Sequence, residues 1–160
     1  MGKCMSCCSP SSKANYTFLN GDYYIGQINN NLPNGKGKKF TSNGKLIYEG
    51  DFANGSFHGK GKMYYNDGKI QYDGNFAVGK YDGFGKYFWE NGDYYEGGML
   101  NGLKHGKGEV HSSNGALKYK GNFVNDQYMG EETINNNIVN QNEYVNSNEY
   151  IYLNIHDWKQ

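Results

Sequence analysis

The stretch YEGDFANGSFHGKGKMYYNDG, running from Tyr48 to Gly68, sets glycines 2, 11, 13 and 20 residues after its tyrosine. The same spacing returns from Tyr24, Tyr72 and Tyr95, at intervals of 23 or 24 residues, so Gly26, Gly35, Gly37 and Gly44 of the first unit correspond to Gly97, Gly106, Gly108 and Gly115 of the fourth. All sixteen places in the four units hold glycine, which composition alone would not produce. A fifth unit from Tyr119 keeps Gly121 and Gly130 and then has Glu132 where the next glycine belongs. Upstream, YTFLNGDY from Tyr16 resembles YFWENGDY from Tyr87, so half a unit precedes the first full one. Self-similarity at this period marks a stacked repeat architecture.

Each unit reads as a β-hairpin. Its first strand is Y-x-G-x-(aromatic or aliphatic), and its second is G-x-G followed by residues such as Lys62-Met63-Tyr64-Tyr65. The pairs Asn43-Gly44, Asp67-Gly68, Asn91-Gly92 and Asn114-Gly115 suit tight turns into the next unit, because both residue types tolerate positive φ. The chain is thus an all-β meander. Side chains alternate across a strand, so Tyr72, Gly74 and Phe76 share one face, as do Gly83, Gly85 and Tyr87. The expectation is a tyrosine ring lying over bare glycine of the neighbouring unit, where a Cβ would not fit.

These units resemble the MORN (membrane occupation and recognition nexus) repeat, of form Y-x-G-x-(W/F)-x-x-G-x-x-x-G-x-G-x-x-x-x-x-x-G. Tyr48-Glu49-Gly50-Asp51-Phe52, Asn54-Gly55 and His58-Gly59-Lys60-Gly61 match it nearly letter for letter, and the resemblance covers Tyr16 to Gly130. Ile28 and Met99 depart from it at the first-strand aromatic, and Asn31 and Asp126 at the mid-unit glycine, which implies looser turns there. The resemblance implies an elongated, twisted, single-layer antiparallel sheet. About ten strands at ~4.8 Å would span roughly 50 Å.

Composition narrows the function. The chain has 160 residues, 24 glycines, 16 tyrosines, equal numbers of cationic and anionic side chains, and no arginine. A nucleic-acid binder normally carries a basic, arginine-rich footprint. No run approaches the ~20 apolar residues of a membrane span, and the N-terminus lacks a signal-peptide core. All three cysteines nevertheless fall in MGKCMSCCSP. MGKCMS fits the myristoylation pattern with Gly2 as acceptor, and one myristoyl chain anchors only marginally without a second signal. Palmitoylated Cys4, Cys7 and Cys8 would supply it. Three crowded cysteines suit neither a structural zinc site nor a cytosolic disulfide framework.

Other motifs are discounted. His58 and His105 occupy equivalent positions two units apart, about 19 Å at ~4.8 Å per strand, too far to share a metal. The G-x-G elements lie between strands, with no helix N-terminus to hold phosphate. Lys36, Lys38, Lys60, Lys62, Lys86 and Lys107 fall on the face opposite the glycines, where Glu49, Asp51, Asp73 and Glu96 of adjoining strands can pair with them. From Lys13 to Lys120 there are 14 lysines against 10 carboxylates, and from Gly121 onward one against 6. In the Asn-rich C-terminal stretch, Tyr150, Ile151, Tyr152, Leu153, Ile155 and Trp158 cluster at spacings that fit helix or strand equally. The expected role is a cap on the open sheet edge. Docking to a partner is the alternative.

The expected organisation is an acylated anchor and tether at 1–15, a repeat sheet at 16–130 and a C-terminal extension at 131–160. The expected function is a non-enzymatic scaffold on the cytosolic face of a membrane, without cofactor or metal beyond covalent myristate and palmitate. Its partners would be proteins or a second copy, with no nucleic acid and no small-molecule substrate. The candidate partner surface comprises Tyr72, Phe76, Tyr87 and Trp89. Lys36, Lys38, Lys60 and Lys62 would serve the alternative, direct binding of acidic phospholipid such as a phosphoinositide.

Overall fold

The computed structural model describes residues 16–131; Gly2, Cys4, Cys7, Cys8 and the C-terminal cluster lie outside them. Eleven strands follow in chain order: β1 (Tyr16–Thr17), β2 (Tyr23–Asn29), β3 (Leu32–Phe40), β4 (Leu46–Ala53), β5 (Ser56–Tyr64), β6 (Ile70–Ala77), β7 (Lys80–Phe88), β8 (Tyr94–Leu100), β9 (Leu103–His111), β10 (Leu117–Val124) and β11 (Gln127–Tyr128). They form one antiparallel sheet in the same order, open at β1 and β11. This is the all-β meander read from the repeats.

Two kinds of turn alternate. Inside each unit a two-residue turn has both residues at positive φ: Asn30-Asn31, Asn54-Gly55, Val78-Gly79, Asn101-Gly102 and Asn125-Asp126, with φ from 48° to 94°. That mirror-image conformation matches the twist of the flanking strands. The backbone N–H of Gly55 donates to Pro33 O at 2.8 Å, and Gly79, Gly102 and Asp126 repeat the contact in the following units, so each of these four turns is locked to the unit before it. Asn31 and Asp126 take the same conformation, at 61° and 71°, so those turns share the geometry of the others instead of being looser.

Between units the turns are longer than the Asx-Gly pairs suggest. Only the glycine is left-handed there, as at Gly68. The Asx residue acts through its side chain: Asp67 Oδ1 accepts from Lys69 N at 3.0 Å, and Asn91 Oδ1 from Asp93 N at 2.9 Å. An Asx side chain that reaches two residues onward needs no positive φ of its own.

Nine glycines, from Gly26 to Gly121, stand opposite one another from β2 to β10, one per strand. Against this line lie the rings of Tyr24, Tyr48, Tyr72 and Tyr95, all fully buried. A Cβ on Gly37, Gly61, Gly85 or Gly108 would run into the tyrosine ring of the same unit. The ring therefore covers the glycine of its own hairpin, because Tyr72 and Gly85 occupy adjacent strands β6 and β7. Each hydroxyl turns back on its own strand: Tyr48 Oη donates to Asp51 O at 2.8 Å and Tyr95 Oη to Gly98 O at 2.8 Å.

Phenylalanine joins the units. Phe52 meets Tyr48 of its own unit at 5.1 Å and Tyr24 of the previous one at 4.7 Å, both edge-on. Phe76 repeats this with Tyr72 and Tyr48, and Phe123 reaches back to Tyr95 at 5.0 Å. Such pairs add roughly 0.5–1.5 kcal/mol each beyond area burial. Met99 keeps the slot buried in the fourth unit, whereas Ile28 in the first is exposed.

Candidate functional site

The two faces of the sheet differ in chemistry. On the aromatic face a second layer sits on the buried tyrosines: Phe57 stacks on Tyr48 at 4.0 Å and Tyr81 on Tyr72 at 4.1 Å. Beside them Tyr81 approaches Tyr87 at 6.1 Å, and Tyr87 approaches Trp89 at 5.7 Å, both edge-on. Tyr65, just past the end of β5, donates to Phe88 O of β7 at 2.7 Å. The Tyr81 hydroxyl donates to Met63 Sδ at 3.2 Å, and burial pushes its pKa up to about 12.

Of the four aromatic candidates, Tyr87 and Trp89 are half-buried on this face, whereas Tyr72 and Phe76 are core. The physical reason is the second layer: Tyr81 covers Tyr72 and also touches Phe76 at 5.5 Å. The accessible surface is thus made by Phe57, Met63, Tyr81, Tyr87 and Trp89, which pack against the core. Phe57 and Tyr81 were missed in the sequence, although each stands two residues before the first glycine of its G-x-G. The same position holds Lys104 in the fourth unit, paired with Asp126 at 3.5 Å and lying over Trp89 at 5.3 Å. The aromatic patch ends there in a cation.

The opposite face is ion-paired. Lys36 meets Asp51 at 2.8 Å, Lys38 meets Glu49 at 2.7 Å, Lys62 meets Asp73 at 3.1 Å, and Lys86 meets Glu96 at 2.8 Å. Hydrogen bonding from Lys36 holds the Asp51 carboxyl below the usual carboxylate range, and Lys38 does so for Glu49. Burial and a 2.6 Å hydrogen bond to Glu49 push Tyr64 up to about 12. Lys60 lies on the same face, where its backbone N–H donates to Asp51 Oδ2 at 3.2 Å. Exposed pairs of this kind are worth well under about 1 kcal/mol each, so they matter for partner choice more than for stability.

The profile of the MORN repeat matches residues 24–45, 48–70, 72–94, 95–117 and 119–131. A search of curated proteins returned no match. The matched segments follow the hairpins described above and take in more than half of the chain. MORN repeats are non-catalytic repeats that mediate protein or membrane interaction. With its tyrosines over in-register glycines and its family pattern met five times in succession, the chain belongs to the MORN repeat family.

Proposed function

We propose that this protein is a non-enzymatic scaffold, held on the cytosolic face of a membrane by acylated Gly2, Cys4, Cys7 and Cys8, that offers its aromatic face to a protein partner. The observation that carries the reading is the half-buried cluster of Phe57, Tyr81, Tyr87 and Trp89 on a rigid sheet. Large, pre-positioned aromatics lose little conformational entropy on binding and dominate interface energetics. Their support is fixed by the buried tyrosines beneath, so no reordering precedes docking.

Direct recognition of acidic lipid by the lysine face is less favoured. Lys36, Lys38, Lys62 and Lys86 each already hold a carboxylate, and a headgroup would have to displace it. The test is capture from native membranes with the parent chain and with a Tyr87→Ala, Trp89→Ala double variant. Proteins retained by the parent and lost from the variant support the scaffold. Identical retention by both would sink it, and salt-sensitive binding of non-acylated protein to anionic vesicles would favour the lipid reading instead.

A further inference from the structure

The polar face is interrupted in the third unit. The residue inside the G-x-G is Lys36, Lys60 and Lys107 in three units but Phe84 in the third, 60% exposed. Opposite Phe84 in register stands Gly98, where the other units carry Gln27, Asp51, Asn75 and Asn122. Leu100 and Leu103 face each other across β8 and β9 on the same side, both exposed, and Val124 follows on β10. The alternation of charge thus gives way to an apolar patch on β7 to β10.

A cleft of about 670 Å³ opens beside it, floored by the glycine line and walled by Phe84, Glu96, Lys107, Glu109 and Asn122, with Glu131 at its end. Glu131, just beyond the end of β11, is the last described residue. Twenty-nine residues follow, and their apolar side chains concentrate between Tyr150 and Trp158. Eighteen residues stand between Glu131 and Tyr150, and a linker of that length has a typical reach on the order of 23 Å, enough to return over the cleft. The N-terminal segment instead leaves from β1, at the far end of the sheet.

We propose that the C-terminal segment Tyr150–Trp158 folds back in the same chain onto the Phe84 cleft of the polar face, leaving the aromatic face open. Tethering at the cleft's rim supplies an effective concentration of about a millimolar, so an intrinsic dissociation constant near 100 μM would keep the segment docked about nine-tenths of the time. Phe84, exposed at the wall of the cleft, gives Trp158 or Tyr152 an aromatic partner. This placement differs from a cap on the β11 edge, which would not involve Phe84.

The experiment uses the full, non-acylated chain with Trp89→Phe, which leaves Trp158 as the only tryptophan. Acrylamide should quench Trp158 at least about threefold less than in a free peptide of residues 132–160, as a mostly docked segment requires. Phe84→Lys, which installs the residue other units carry, should restore peptide-like quenching with an unchanged melting point. Val124→Lys provides a second variant at the far side of the patch. Peptide-like quenching in the parent overturns the proposal. Protection that survives both lysine variants overturns it too, by placing the segment elsewhere. A Phe84-dependent dimer in light scattering would assign the cleft to a second copy and overturn docking within the chain.

Discussion

Gly85→Ala tests the packing that makes this sheet. Gly85 is buried, and its φ lies outside the left-handed region, so the backbone itself would accept alanine. The space would not: the new Cβ would lie 2.6 Å from Tyr72 Cε2 and closer still to Cζ and Oη. Gly85 cannot retreat, because Gly74 and Gly97 hold it in register from both sides. The ring must therefore swing out. It then loses the 3.1 Å hydrogen bond to Asn75 O, worth about 1 kcal/mol, and the contacts with Tyr81 and Phe76, worth about 0.5–1.5 kcal/mol each. With partial loss of ring burial the expected cost is about 3 kcal/mol. Gly79→Ala is the matched control: nothing lies within 4 Å, and its φ of +80° charges only the left-handed penalty of about 1 kcal/mol. Urea unfolding of both variants, and of Gly85→Ala in a Tyr72→Leu background, measures the difference. Equal costs for the two alanines, or an undiminished cost without the ring, would refute the reasoning.

Val78 is β-branched yet sits at φ 48° in an exposed turn where the other four units carry Asn30, Asn54, Asn101 and Asn125. Val78→Asn should therefore raise stability by about 1 kcal/mol, read as a shift of the urea midpoint at constant slope. Burial raises Tyr24, Tyr48 and Tyr72 above the ordinary tyrosine range and takes Tyr95 to about 12. The unfolded chain sheds these protons near pH ~10 while the folded chain keeps them, so stability is full below that pH and falls above it. Each group contributes a slope of about 1.4 kcal/mol per pH unit, and tyrosinate absorbance should rise together with loss of the sheet signal; ionisation without unfolding would contradict the burial argument. At the other end of the chain, Gly2→Ala should release the protein from membranes, because palmitoylation needs the transient contact that myristate provides. Undiminished membrane fractionation of that variant would remove the proposed anchor.

The period of tyrosine and glycine in the sequence by itself determined the fold class, the number of units and the order of strands. It could do so because each unit is a local hairpin that meets only its neighbours, so short-range spacing carries nearly all the topology. The lysine–carboxylate pairs were legible for the same reason, since register follows once the glycines align. Three-dimensional packing decided what spacing leaves open. Which glycine a ring covers depends on where the side chain points, and Tyr72 turned to Gly85 of its own hairpin. Which aromatics remain accessible depends on a second layer: Tyr81 stacks on Tyr72 and turns it from a surface candidate into core, leaving Tyr87 and Trp89 half-exposed. The setting of Phe84 is likewise a matter of register, which puts it opposite Gly98 and beside the cleft, a pairing between two units that no single repeat displays.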